Sequence, residues 1–163
     1  MGRIQLSGKN FHLYVLVDDN DMPLVSQYKW YLQGRGYAYR NRKYKNNIRD
    51  VGEIAMHRMI LGLTDPTIHV DHINGNKLDN RRENLRICTI QENNLKRGIR
   101  KDNTSGAKGV HFNKKTGKWM ARISIGNKRY YLGLFTLKEE AIKAYNKACK
   151  KYHGKFAQLN FVK

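Results

Sequence analysis

Ile68-His69-Val70-Asp71-His72-Ile73, running directly into Asn74-Gly75-Asn76, is the stretch on which the reading of this chain turns. The first six residues suit a strand. Asn-Gly then supplies the positive φ that a tight turn needs and is a strong hairpin signal. Beyond it, Asp79 to Leu85 is polar, and Arg86 to Thr89 reads as the returning strand. Thr89 suits a helix N-cap, with Glu92 three residues on as the other half of a capping box. The order is therefore strand, hairpin, strand, helix.

Upstream, Phe11 to Val17 (FHLYVLV) alternates as a strand does, and Asp18-Asp19-Asn20-Asp21 is its turn. Pro23 opens a short helix through Tyr28 that ends near Trp30, and Tyr31 to Arg40 reads as a hairpin around Gly34 and Gly36. Asn41 to Asp50 is polar, basic and without period, so it reads as a loop. Glu53 to Leu61 is apolar enough for a strand or a buried helix, and it carries His57-Arg58. Tyr28, Trp30, Tyr37 and Tyr39 read as the packing of an accessory sheet, and His57 as a structural histidine.

Downstream, Lys96 to Ser105 has no apolar period and reads as a basic linker. Gly109 to Phe112, Trp119 to Ile125 and Arg129 to Phe135 then form three short strands, separated by Lys114-Lys115-Thr116-Gly117 and Gly126-Asn127-Lys128. Thr136 caps a helix with Glu139 at its third position, and Leu137, Ala141, Ala144, Tyr145, Ala148 and Cys149 form its buried face. The fold class is α+β. A strand-hairpin-strand-helix core with accessory N-terminal strands occupies 1–95, the linker 96–105, and a three-stranded antiparallel sheet packed on one helix 106–163.

Across 163 residues, 32 Lys and Arg face 13 Asp and Glu, a formal charge of +19. Such an excess repels itself unless a polyanion is the working partner. No apolar run approaches the roughly 20 residues that span a bilayer, and Met1-Gly2-Arg3-Ile4-Gln5 opens no signal segment. A membrane is thereby set aside and nucleic acid is the expected partner. The charge is uneven: 14 basic and 10 acidic residues precede Lys96, whereas 18 basic and 3 acidic follow from it. Two jobs are implied, with the C-terminal part gripping a polyanion. Cys88 and Cys149 form no Cys-x-x-Cys pair, which excludes a cysteine-rich zinc knuckle and suggests reduced thiols.

Cutting a phosphodiester requires a deprotonated water, neutralised phosphate charge and help for the leaving oxygen. A neutral histidine removes the water proton, and a hard cation on oxygen ligands takes up the charge. Asp71 offers a carboxylate, His72 an imidazole, and Asn93 or Asn94 an amide oxygen. Neighbouring strand residues face opposite ways, so Asp71 and His72 can serve metal and water separately.

Taken in order, MHRMILG…HVDHINGNKLDNRRENLRICTIQENN strongly resembles the HNH endonucleases, particularly the homing enzymes of phages and introns. The resemblance implies a ββα-metal core. It makes His72 the general base, Asp71 a metal ligand and Asn84 the central residue that braces the loop and orients the base. Asn93 would be the second metal ligand, with Asn94 the alternative one position on. Mg²⁺ is the expected single ion, with Mn²⁺ the alternative. His57-Arg58 matches an upstream His-Arg of the subgroup, in support or phosphate contact. No small-molecule cofactor is expected, and the resemblance implies a phage-encoded protein in the cytoplasm of a bacterial host.

From SGAKGVHFNKKTGKW onward the chain resembles the AP2 DNA-binding domain, through Gly109-Val110, Gly117-Lys118-Trp119, Leu132-Gly133, Phe135 and Leu159-Asn160-Phe161. That family lays a three-stranded sheet in the major groove of double-stranded DNA. The resemblance puts Lys108, His111, Asn113, Arg122, Ser124, Arg129 and Tyr131 at contact positions. Lys114, Lys115, Lys118 and Lys128 would anchor phosphates, while Arg97, Arg100 and Lys101, with Lys96, track the backbone. Plant AP2 domains place several arginines and an acidic residue where His111, Asn113, Arg122 and Ser124 stand, so their target site does not transfer. The expectation is a monomer or weak dimer that nicks DNA, or cuts both strands if two chains meet. A catalytically silent DNA-binding regulator on the same scaffold is the alternative.

Overall fold

The computed structural model describes residues 1–41 and 52–161. The loop expected over 41–50 thus falls almost wholly outside them. The chain divides into two compact units, Met1–Thr89 and Ile90–Lys163, so the break comes before the third helix, whereas the sequence suggested 95/96.

In the first unit, β1 (Gly2–Gln5) and β2 (Tyr14–Val17) pair antiparallel. Helix α1 (Met22–Val25) follows. It is shorter than the expected helix through Tyr28, because the buried Trp30 indole N–H takes the Val25 carbonyl at 2.8 Å. A second sheet runs β3 (Tyr31–Leu32), β4 (Ala38–Asn41), β5 (Glu53–Ala55), each pair antiparallel. Gly36, at φ 85°, turns the β3–β4 hairpin. The segment readable as strand or helix is both: β5 leads straight into α2 (Met56–Ile60). Ile4, Leu6, Val15, Val17, Val25, Trp30, Met56, Ile60, Val70 and Leu85 form one core.

β6 (His69–His72) and β7 (Leu85–Cys88) are antiparallel, with Asp71 opposite Arg86 and His72 opposite Leu85. They are not joined by a two-residue hairpin. Asn74-Gly75 makes only a local turn, Gly75 N–H donating to the His72 carbonyl at 2.9 Å, and a polar loop continues to residue 84. Leu16 of β2 pins that loop: its N–H donates to the Leu78 carbonyl and its carbonyl accepts from Asn80 N–H, each at 2.8 Å. Arg82 adds hydrogen bonds to Asp21 and to the Ile60 carbonyl.

The second unit begins with α3 (Ile90–Leu95). Its sheet has the order β10 (Lys128–Phe135), β9 (Lys118–Ile125), β8 (Val110–Asn113), all antiparallel. Helix α4 (Lys138–His153) buries Ala141, Ile142, Tyr145, Ala148 and Cys149 against it. Trp119 and Phe135 are partly buried against this core, in keeping with packing roles. The helix starts one residue later than expected. Leu137 holds the cap position, and Glu140, not Glu139, accepts its N–H at 3.3 Å, leaving the Leu137 side chain exposed. Gly109 has φ 67°, and a Cβ there would lie 2.3 Å from the Arg122 carbonyl oxygen, so the β8–β9 approach requires glycine. Among the described residues no helix is long and apolar enough to cross a membrane, and Cys88 and Cys149 form no disulfide.

Candidate active site and nucleic-acid interface

Polar side chains are buried where β6 ends. Asp71 is 5% and His72 4% exposed, although both belong to residue types that burial penalises unless they are partnered. Arg86, directly across the ladder, supplies the partner for Asp71: Nε and Nη2 each lie 2.7 Å from Oδ2. This ion pair is largely buried, so removal of one member alone costs about 3–5 kcal/mol.

His72 Nε2 lies 3.4 Å from Asn80 Oδ1. Asn80 is 1% exposed, and its Nδ2 faces the Lys77 carbonyl at 3.4 Å. The amide is thereby oriented with oxygen toward the imidazole. In the tautomer that donates Nε2–H to this oxygen, the imidazole lone pair is at Nδ1. Asn80 was not singled out in the sequence. Its only signal was its place in Leu78-Asp79-Asn80, between the turn and the returning strand.

Asn84 is hydrogen-bonded to the loop at two points. Its Nδ2 donates to the Asp79 carbonyl at 2.7 Å and its Oδ1 accepts Asn74 N–H at 2.9 Å. Asn74 in turn reaches Asp79 Oδ2 at 2.8 Å, while the Arg81 guanidinium grips both Asp79 oxygens. Those Arg81 hydrogen bonds, foremost, hold the Asp79 carboxyl below its ordinary pKa.

His57, read as structural, stands beside His72, their rings edge to face at 5.4 Å. Tyr37, read as packing, lies 5.2 Å from the His57 ring and 5.7 Å from that of His72. Burial, with smaller contributions from His72 and Arg58, lowers the His57 pKa to about 3, so the ring is neutral at physiological pH. Because the unfolded chain binds this proton near pH 6.5 and the folded chain does not, stability is complete above pH 6.5. It falls by about 1.4 kcal/mol per pH unit between there and about pH 3. Urea midpoints of wild type and His57→Gln, compared at pH 7 and pH 5, should show this fall in wild type and a flatter dependence in the variant. Arg58 donates to the carbonyls of Ile68 (2.7 Å) and Asp65, at the approach to β6.

Asn93 and Asn94 lie on α3 in the second unit, Asn93 half-buried and Asn94 exposed. Among the described residues no three His, Cys, Asp or Glu side chains gather as a metal cage. The Asp71 carboxylate is a hard oxygen donor, of the kind that Mg²⁺ and Mn²⁺ take in preference to imidazole or thiolate.

In the second unit, Ala121 and Ile123 of β9 face α4, which turns Arg122 and Ser124 to the outer face. Tyr131 stands opposite Arg122 and Arg129 opposite Ser124, and His111 opposite Met120. A cleft of about 510 Å³ is lined by Arg100, His111, Arg122, Ser124 and Arg129, among others. Six of the seven residues expected to meet DNA thus share the sheet's outer surface, with Asn113 also shaping the β8–β9 turn by accepting Lys115 N–H at 3.0 Å. Met120 joins them unforeseen. Lys114 and Lys115 occupy that turn, Lys118 opens β9 and Lys128 opens β10, all exposed.

Lys108 departs from its expected role. Its ammonium donates to the Leu95 carbonyl at 2.9 Å, and Asn160 holds its backbone N–H and C=O at 2.8 and 3.0 Å. Burial pushes its pKa down. The supposed linker is also partly structured, with a buried Ser105 bonded to Asn103 and Ala107. Arg100 pairs with Asp102 in an exposed contact worth little. Arg97 and Lys101 are exposed.

The sequence pattern of the family described as HNH endonuclease matches residues 56–95, from α2 through α3. An uncharacterized HNH endonuclease of Acanthamoeba polyphaga mimivirus is 30% identical over 162 residues, covering 96% of this chain and 80% of that protein. Protein 3.8 of Escherichia phage T7 is 31% identical over 91 residues, 56% of this chain and 74% of its own length. The AP2-like ethylene-responsive transcription factor AIL5 of Arabidopsis thaliana is 45% identical over 56 residues, but these are 33% of this chain and 10% of the plant protein. With the mimivirus likeness running nearly end to end, and the pattern covering the buried Asp71-His72 loop, the chain belongs to the HNH endonuclease family.

Proposed function

We propose that this protein is a metal-dependent HNH endonuclease of homing type that hydrolyses phosphodiester bonds in double-stranded DNA. The observation that supports it most is the buried His72, whose Nε2 lies 3.4 Å from the oriented amide oxygen of Asn80. His72 takes the proton of the attacking water at Nδ1. Asn84 holds the loop through which Asn80 fixes that imidazole. Asp71, with Asn93 or Asn94 as the family resemblance implies, would hold Mg²⁺ or Mn²⁺. That ion supplies charge neutralisation at the phosphate and the leaving 3′ oxygen.

The outer face of the AP2-like sheet lies in the major groove, where base edges are distinguishable. His111, Arg122, Ser124, Arg129 and Tyr131 read bases, while Lys114, Lys115, Lys118 and Lys128 hold phosphates. Arg97, Arg100 and Lys101 follow the backbone. Tethering the cutting module beside a chosen site raises its local concentration there. One catalytic centre per chain favours nicking by a monomer.

A second reading is favoured by one specific contact. The Asp71 carboxylate already carries the Arg86 guanidinium, with which any cation must compete. On that reading the chain is a DNA-binding regulator that keeps the nuclease scaffold. Asp71→Asn retains an acceptor for Arg86 and separates the two. It is expected to abolish metal-dependent cutting while leaving duplex affinity, measured by fluorescence anisotropy, within about twofold. An equal loss of binding would make Asp71 structural, and unchanged cutting would remove it from the metal site.

A further inference from the structure

Tyr37 sits on the β3–β4 hairpin, far upstream of the Asp71-His72 loop, yet its ring touches both imidazoles of the site. We propose that Tyr37, with His57, is a positioning residue for the His72 base: the two rings form a fixed wall that holds the imidazole in one orientation, making the N-terminal hairpin part of the catalytic apparatus. The proposal rests on reading His72 as the base.

A histidine needs such a wall. Its χ2 torsion is broad and roughly two-fold, so the ring is fixed by its neighbours and not by its own rotamer preference. The contact with Asn80 is long, at 3.4 Å. His57 meets the ring edge to face at an interplanar angle of 84°, and Tyr37 meets it tilted at 47°. The edge-to-face geometry is one that aromatic pairs favour. With Tyr37 and His57 also 5.2 Å apart, the three rings close a triangle in which each packs against the other two.

The hairpin tip is itself held. Gln33 N–H donates to the Tyr37 carbonyl at 3.0 Å and Gly36 N–H to the Gln33 carbonyl at 2.7 Å. Lys77 reaches from the Asp71-His72 loop to the Arg35 carbonyl at 2.6 Å, and its ammonium stands 4.6 Å over the Tyr37 ring. The Lys77 carbonyl also accepts from Asn80. A closed circuit results: Tyr37 ring, His72 ring, Asn80 amide, Lys77 backbone, Lys77 ammonium, Tyr37 ring. Such pre-organisation matters because small misplacement of a reacting group costs large factors in rate.

The test uses the full chain with ¹³C-labelled histidine, the His72 ring signal being identified by its disappearance in His72→Ala. In Tyr37→Leu that signal should move or split, and kcat for cleavage of a duplex in Mg²⁺ should fall by about 10- to 100-fold with KM within about twofold. Tyr37→Phe, which restores the ring, should rescue both the signal and most of kcat. An unmoved His72 signal or full kcat in Tyr37→Leu would overturn the proposal. So would failure of Tyr37→Phe to rescue, since that would assign the role to the hydroxyl. Should Tyr37→Leu not fold, Lys77→Met releases the hairpin tip without touching the core. It should shift the His72 signal in the same sense, and an unchanged signal there overturns the proposal too. If wild type cuts no DNA but the His72 signal responds to Leu and recovers with Phe, the positioning stands and the base assignment fails.

Discussion

His72→Ala is expected to slow DNA cleavage by about 10³-fold while leaving duplex affinity nearly unchanged, because general-base assistance contributes roughly 10²–10⁴ in rate. The expectation follows from the role proposed for the imidazole: it acts on the attacking water and not on the bases or distant phosphates that set affinity. Removing the ring leaves a gap beside Tyr37 and His57 and takes away the imidazole that faces Asn80 Oδ1. Stability should therefore fall as well, and rates belong under conditions where circular dichroism shows the variant folded. His72→Gln, which restores a polar partner for Asn80 but not a base, should recover stability without recovering rate. A single-turnover rate constant near wild type in either variant would remove His72 from the chemistry.

The second large effect concerns binding. Changing Lys114, Lys115, Lys118 and Lys128 together to glutamine should make the plot of log affinity against log salt shallower by about 3 to 4, at roughly 0.9 for each phosphate that is no longer neutralised. At fixed moderate salt the affinity should fall on the order of 10²-fold. These side chains sit at the β8–β9 turn and at the starts of β9 and β10, exposed and away from the core on α4, so the fold should tolerate the change. Arg122→Ala and Arg129→Ala address the outer face differently. They should weaken preference among sequences more than they change the salt slope. An unchanged slope in the quadruple variant would mean that the duplex is held elsewhere on the chain.

Much of this architecture is legible in the sequence, and the reasons are local. Gly126-Asn127-Lys128 marks a hairpin loop, which the pairing of Lys128 with Ile125 tightens to two residues, and the alternation of β9 separates Ala121 and Ile123 from Arg122 and Ser124. The β6, β7 and α3 order can likewise be read from patterning and a polar loop. What escapes the sequence depends on how distant segments meet. Asn74-Gly75 signals a turn, but whether the strand returns at once is decided by Leu16 of β2, which holds the loop open through Leu78 and Asn80. Tyr37 carries no mark separating a packing aromatic from one beside a base, since the difference lies in what α2 and β6 bring to it. His57 is visible as a motif residue, yet its meaning comes only from its ring lying against His72. Lys108 errs the opposite way: a lysine beside a basic sheet reads as a DNA contact until the Leu95 carbonyl is found bonded to it.

Conversion of supercoiled plasmid by the wild-type chain, with His72→Ala beside it, tests the central claim most directly. The plasmid should carry the DNA that flanks the protein's own gene, and the ion should be Mg²⁺, Mn²⁺ or none. Nicked or linear product that appears with wild type, requires the divalent ion and is absent with His72→Ala is the predicted result. Supercoiled DNA left intact by both proteins with every ion, or cut equally by both, would contradict it.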